Sequence, residues 1–372
     1  MAPRVVYLHI GSTKTGTTFI QRVLWSNEKK LKADGVALPA EGQYVFGRAA
    51  RALHRWRPDD ASVPRDWKQV ADTVKGVRSD AAILSQEFLS WLDPDQVRAM
   101  VASIENAAVK VVFTARDLAR LIPAQWQSAI RQRRTWSLTE YAHGVQHGSD
   151  EDPRNSPYRH FWHRLDYATT LRTWSDVVGV DNVTVVTVPP PGAEPDELWR
   201  RFCAATDLDP ARYRTDGVRN VSMGAASCEV MRRLNALPQV QAMPREDYSA
   251  EVNGTLTRRV LSLRDQPEPK ITLPDAQRDW ALSRSEEIAA EVASVGTQVI
   301  GSLEDLRSGS LSPPYQAPED LPAEDLLEVA LDALASLAVA HSKGDTAPKP
   351  GLAQPRARRQ RKTRPGIASA AS

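Results

Sequence analysis

The stretch that decides the fold is Tyr7-Leu8-His9-Ile10-Gly11-Ser12-Thr13-Lys14-Thr15-Gly16-Thr17-Thr18-Phe19-Ile20, close to the amino terminus. An apolar strand leads into a turn rich in Gly, Ser and Thr, and this turn opens into an amphipathic helix. Such a turn directs consecutive backbone N–H groups and a helix N-terminus at one point, where a phosphate-like anion binds. The two glycines let the backbone approach that anion closely.

The loop is related to the nucleotide-triphosphatase pattern G-x-x-x-x-G-K-[ST], but its lysine is displaced. The glycines and Thr18 fall in register, whereas Thr17 stands at the lysine position and Lys14 precedes the second glycine by two residues. Magnesium-dependent phosphoryl transfer also needs a carboxylate at a neighbouring strand end. The strand predicted at 109–114 is instead followed closely by Arg116. The pattern disfavours a kinase-like enzyme using Mg-ATP, which stays the main rival, and it predicts no metal.

Short β-branched runs alternate with longer helical patterns, which predicts an α/β fold with a P-loop-like parallel sheet flanked by helices. Four runs are nearly continuous in apolar residues, as in strands covered on both faces: 5–10, 81–84, 109–114 and 182–188. Helices are predicted at 17–33, 65–77, 94–106, 118–133, 158–178, 195–206, 223–236, 252–265, 275–303 and 322–342. We expect one α/β domain over 1–310, a proline-rich joint and C-terminal helix over 311–342, and a disordered basic tail over 343–372.

The lysine-bearing loop resembles the 5′-phosphosulfate loop of sulfotransferases that use 3′-phosphoadenosine 5′-phosphosulfate (PAPS). The segment Val111-Val112-Phe113-Thr114-Ala115-Arg116-Asp117 is similar to the second element of that family, whose strand-end arginine grips the 3′-phosphate. The resemblance implies transfer of a sulfuryl group from PAPS, without a metal, to a hydroxyl or amine. It also implies that PAPS is bound by Ser12, Thr13, Lys14, Thr15, Gly16, Thr17, Thr18 and Arg116.

The sequence departs from the family pattern at the 3′-phosphate site. The family usually has a serine eight residues after the strand-end arginine, and this chain has Ala124 there. Ser128 lies one helical turn further on and Arg120 one turn before, and either is a candidate replacement. In similar bacterial sequences an N-x-S element returns to the cofactor, so Asn220 and Ser222 are further candidates, although both residues also fit a helix cap.

Sulfuryl transfer needs a cation on the leaving oxygen and a base for the acceptor proton. Lys14 is the candidate cation. Glu87 follows the strand at 81–84, and ligands of parallel sheets bind beyond the carboxyl ends of strands, so Glu87 is the candidate base. A helix-terminal role for this glutamate stays open. Competing bases are His9 within the first strand and the pair His160 and His163.

The composition is that of an ordinary globular protein, since 41% of the 372 residues are hydrophobic and 25% are charged. Collagen-like, coiled-coil and wholly disordered chains are excluded. Two cysteines, Cys203 and Cys228, are too few for a disulfide framework. No membrane span or export signal is recognised, so we expect a soluble, cytoplasmic protein of undetermined oligomeric state.

The net charge of +2 is unevenly distributed, because residues 341–372 hold eight basic residues against one acid. The basic tail raises a second hypothesis, that the chain is a non-catalytic protein with a nucleic-acid-binding tail. Interleaved aromatics are absent and the rest of the chain is mildly acidic, so nucleic acid is the disfavoured partner. The acceptor is expected to be a carbohydrate, lipid or small molecule, in a crevice whose candidate walls are Trp126, Trp136, Tyr158, Phe161 and Trp162.

Overall fold

The computed structural model describes residues 4–39, 43–57, 62–216, 223–264, 268–307 and 315–342. Six parallel strands form one sheet in the order β2-β3-β1-β4-β5-β6. The strands are β1 Val5–Gly11, β2 Val36–Ala37, β3 Ala81–Ser85, β4 Ala108–Ala115, β5 Val183–Thr187 and β6 Gln298–Ile300. The predicted α/β class with a parallel sheet flanked by helices is confirmed.

Helices cover both faces of the sheet, and the alternation of side chains along β1 creates a separate core on each face. Val6, Leu8 and Ile10 pack into the larger core, and Tyr7 packs into the smaller one. The helices are α1 Thr17–Ser26, α2 Glu28–Ala33, α3 Gln43–Arg55, α4 Arg65–Lys75, α5 Pro94–Ala102, α6 Leu118–Arg131, α7 Leu138–His147, α8 Pro157–Leu165, α9 Tyr167–Val178, α10 Glu197–Ala205, α11 Ala225–Ala236, α12 Pro238–Gln241, α13 Arg245–Asp247, α14 Asp275–Val295, α15 Glu304–Arg307 and α16 Ala323–Ser342.

Shorter helical elements connect several of these helices. A five-residue 3-10 helix, Glu87–Trp91, directly follows β3, and the stretch Tyr248–Val260 is a π-helix. Further 3-10 turns lie at Val180–Asn182, Pro210–Arg212, Leu261–Leu263 and Pro318–Asp320. Among the described residues, none of the helices is long and apolar enough to cross a bilayer.

Four predicted strands are confirmed, and two edge strands were missed by the sequence interpretation. β2 is only two residues long, too short to give a pattern. The helix predicted at 275–303 is wrong at its end, because Gly296 adopts a left-handed conformation with φ of 79° and stops α14. The chain then turns into β6, which pairs with β5.

Two long predicted helices are each divided in the structure. The helix predicted at 17–33 breaks at Asn27, whose side chain donates to the Val23 carbonyl and accepts from the Arg214 backbone N–H at 3.1 Å. The helix predicted at 158–178 breaks at Asp166, whose carboxylate caps α9 by accepting from the Thr169 N–H at 3.0 Å. In both cases a local polar side chain replaces helical hydrogen bonds. The tail at 343–372 lies outside the described residues.

Candidate active site

The loop between β1 and α1 folds as an open cradle at the carboxyl edge of the sheet. Gly11 and Gly16 have φ of 92° and 85°, and Lys14 also lies in the left-handed region at 64°. Gly16 caps α1 without any side-chain hydrogen bond. Within the described residues, the N–H groups of Thr17 and Thr18 meet no protein acceptor. The first turn of α1 is therefore open to an anion.

Internal hydrogen bonds hold the base of the loop to the neighbouring strand. The Ser12 N–H donates to the Thr114 carbonyl at 2.8 Å, and the Ser12 hydroxyl donates to the Tyr167 hydroxyl at 3.4 Å. The Thr15 hydroxyl donates to the Ser12 carbonyl and also lies 2.5 Å from the Thr114 hydroxyl. The side chains of Ser12 and Thr15 thus hold the loop in shape through hydrogen bonds inside the protein.

His9 of β1 lies next to the loop, and its buried environment keeps the imidazole neutral. The ring is fully buried, with Nδ1 at 2.7 Å from the Ser85 hydroxyl and Nε2 at 3.4 Å from the Thr114 hydroxyl. Burial lowers the pKa of His9 to about 3. His9 therefore links the ends of β1, β3 and β4.

Glu87 lies directly beside the start of the loop. A Cβ atom on Gly11 would come within 2.8 Å of the Glu87 Cβ, so only glycine allows this approach. The Gln21 side chain of α1 donates to the Glu87 carboxylate at 3.3 Å and to the Ser85 carbonyl at 3.1 Å. The sheet topology thus brings together Glu87 and the loop, as the strand ends predicted.

Arg116 follows β4 and contacts the loop, and part of its hydrogen-bond donor capacity is not used by the described residues. Its guanidinium donates a hydrogen bond, at 3.1 Å, to the Lys14 carbonyl, while its buried Nε has no partner among the described residues. Burial, followed by repulsion from Arg120, lowers the pKa of Arg116 to about 10. The adjacent Asp117 carboxylate accepts hydrogen bonds from the backbone N–H and the side chain of Arg120. Buried donors without acceptors point to a ligand that completes them.

The Lys14 amine stands in a cluster of positive charge. Within the described residues it has no hydrogen-bond or ion-pair partner. Desolvation is the main cause that lowers its pKa, to about 7, and repulsion from Arg131 and Arg116 adds to it, against attraction by Glu87. The cluster of Lys14, Arg116 and Arg131 therefore favours an anionic ligand, which would restore the charge on the lysine.

Two residues of α6 near the loop were missed by the sequence interpretation. The Gln125 side chain donates to the Thr13 hydroxyl, and Arg131 is close enough to depress the Lys14 pKa. Ser128 is half-buried and lies three residues after Gln125, on the same helical face. In the sequence, the signal for Gln125 is its position directly after Ala124, where the family pattern has a serine. Asn220 and Ser222 lie outside the described residues.

One competing base and two of the candidate crevice walls lie in packed surroundings. His160 is buried between the Tyr141 hydroxyl and the Arg164 guanidinium, which donates to its Nε2 at 2.7 Å. Burial and this arginine lower the pKa of His160 to about 3. Trp126 and Phe161 are fully buried core residues, so their assignment as crevice walls is wrong.

Comparison with known proteins adds a likeness of fold at low identity. No family model and no curated protein sequence matches the chain. Among solved structures, the fold is similar to that of a sulfotransferase from Alicyclobacillus acidocaldarius, with 14% identity and a TM-score of 0.45 over 80% of this chain and 97% of that chain. In the described part of the chain, no group of three or more His, Cys, Asp or Glu side chains is arranged to hold a metal ion.

Proposed function

We propose that this protein is a sulfotransferase that moves a sulfuryl group from PAPS to a hydroxyl or amine of an acceptor. The observation that carries the proposal is the pairing of the open loop with two cations at its rim, Lys14 and Arg116. Both have unused donor capacity within the described residues. The 5′-phosphosulfate would lie against Lys14 and the N-terminus of α1, and the 3′-phosphate against Arg116.

The residues of the site divide the reaction between them. Glu87 accepts the proton of the acceptor hydroxyl while its oxygen forms the new bond to sulfur. Lys14 and the N–H groups at the start of α1 stabilise the negative charge on the phosphate oxygen as its bond to sulfur breaks. The products are the sulfated acceptor and 3′,5′-ADP, and the proton is held on Glu87.

Titration calorimetry with 3′,5′-ADP and with Mg-ATP tests the proposal against its rival. We expect the protein to bind 3′,5′-ADP without magnesium, because two separate cationic positions match its two phosphates. Magnesium addition should leave this affinity unchanged. Binding of Mg-ATP together with no binding of 3′,5′-ADP would instead establish the kinase-like alternative.

Substitution of Arg116 by alanine is expected to weaken 3′,5′-ADP binding. Loss of a charge-assisted contact costs about 1.5–3 kcal/mol, or roughly 10- to 150-fold in affinity. Turnover at saturating PAPS should change little, since the 3′-phosphate does not react. The exposed Arg98, which pairs with Asp95 on α5, gives a matched control that keeps full affinity. Unchanged binding by Arg116→Ala would move the assignment to Arg120, whose Nη2 is also buried and meets no partner in the part of the chain that the structure describes.

A further inference from the structure

A broad groove opens beside the candidate active site, on the face of the sheet that carries the larger core. Its volume is about 910 Å³, near the upper end of the ~300–1,000 Å³ range of small-ligand sites. The walls come from the end of the 3-10 helix after β3, from the C-terminal end of α7 and the loop after it, and from α8, the start of α9 and α14.

The groove and the phosphate loop share two structural elements. The 3-10 helix carries Glu87 at its first residue and places Ser90 and Trp91 in the groove, so the backbone of Glu87 is one helical turn, ~6 Å, along the axis from Ser90. Tyr167 lines the groove, and its hydroxyl accepts from Ser12 of the loop at 3.4 Å and from the Arg116 N–H at 3.2 Å. A ligand held in the groove is therefore adjacent to the reacting centre.

Aromatic side chains dominate the apolar part of the lining. Three of the ten tryptophans of the chain, Trp91, Trp162 and Trp280, contribute to it, and all three are only partly buried. The ring centroids of Tyr158 and Trp280 lie 6.4 Å and 6.5 Å from that of Trp162. Arg164 lies over the Trp91 ring and Arg284 over the Trp162 ring. The flat, electron-rich faces of Tyr158 and Trp280 are suited to stacking on the C–H groups of a sugar ring.

The polar part of the lining suits hydroxyl groups better than charges. Four carboxylates and three arginines line the groove, and two of these arginines have internal partners. Arg284 donates to Glu287 and Glu291, each at 2.7 Å, and Arg164 donates to His160 and stacks over Trp91. Hydroxyl and amide groups also belong to the lining: Ser90, Gln146, Thr169, Thr170 and Thr173. A polyanion would meet a carboxylate excess, and an alkyl chain would meet polar groups along its length.

We propose that this groove binds a neutral carbohydrate and presents one of its hydroxyls to Glu87. Aromatic faces hold the sugar ring, while the hydroxyl, amide and carboxylate groups between them hydrogen-bond its rim. The acceptor role rests on the proposed sulfotransferase function, whereas carbohydrate binding in the groove does not.

A printed array of neutral and charged glycans, probed with the labelled full-length protein, identifies the glycan that binds. Calorimetry with that glycan then compares the protein with two variants of Trp280. We expect Trp280→Ala to bind about tenfold more weakly and Trp280→Phe to keep most of the affinity, since phenylalanine retains a stacking face. Trp25→Ala removes a half-buried tryptophan from α1, which does not line the groove, and should bind the glycan normally.

Binding of 3′,5′-ADP to each variant verifies that the fold is intact and separates the two proposals. No glycan bound on the array, or equal affinity in Trp280→Ala, would overturn the groove assignment even when 3′,5′-ADP binds. Binding of dodecanol or of oligothymidylate in place of any glycan would overturn it as well. If glycan binding depends on Trp280 but the protein does not bind 3′,5′-ADP, the result supports carbohydrate binding in the groove and contradicts the sulfotransferase proposal.

Discussion

Lys14→Ala is expected to lower turnover about 10²–10³-fold, the usual effect of removing one donor that stabilises transition-state charge. Affinity for 3′,5′-ADP should fall less, because negative charge on the leaving phosphate grows only as the bond to sulfur breaks. Steady-state kinetics at saturating PAPS and calorimetry with 3′,5′-ADP measure the two effects. The surface pair Lys30–Asp34 supplies the control, since Lys30→Ala removes an exposed lysine from α2 and should leave both values unchanged.

The depressed pKa of Lys14 gives this variant a second readout. Without a ligand the pKa is about 7, and an anion beside the amine favours the charged form and raises it. At one pH unit above that value, the binding of 3′,5′-ADP should therefore take up a proton. The affinity for 3′,5′-ADP should fall as the pH rises through 7. Calorimetry in two buffers of different ionisation enthalpy measures this uptake. Proton uptake that persists undiminished in Lys14→Ala would show that another group binds the proton.

The sequence predicted those parts of the fold and site that depend on local pattern and sheet topology. Strand runs buried on both faces are recognisable by composition, and parallel strands bring their carboxyl ends to one edge. This was enough to bring together Lys14, Glu87 and Arg116. The edge strands β2 and β6 were missed because they hold only two and three residues, too few to give a recognisable apolar run.

Features that depend on how distant helices pack could not be predicted from the sequence. Gln125 and Arg131 approach the loop only because α6 starts at the edge of the sheet with that particular rotation. Tyr167 reaches Ser12 and Arg116 across more than 50 residues of sequence. The sequence likewise did not indicate that the Ser12 hydroxyl donates a hydrogen bond inside the protein, to the Tyr167 hydroxyl. Long-range contacts of this kind leave no periodic signal in one sequence.

His9 and His160 are poor bases, which supports the proposal that Glu87 takes the proton of the acceptor. His9 and His160 are both buried with pKa values near 3, each with hydrogen-bond partners on both ring nitrogens. His163 is exposed and lies 3.6 Å from the Asp150 carboxylate at the groove. Glu87, by contrast, lies against Gly11 of β1 and accepts a hydrogen bond from Gln21 of α1 at the loop.

Glu87→Gln is expected to reduce turnover about 10²–10⁴-fold on a verified acceptor while 3′,5′-ADP affinity is preserved. Glutamine keeps the size of the side chain and a hydrogen bond to Gln21, so the loop geometry should survive, but an amide cannot accept the acceptor proton. The exposed Glu105, paired with Lys75, offers Glu105→Gln as the matched control. Full turnover by Glu87→Gln would leave this carboxylate as a packing partner of Gly11 and transfer the role to His163, the one exposed histidine of the three. A loss of 3′,5′-ADP affinity in the same variant would instead show that the glutamate supports the phosphate loop.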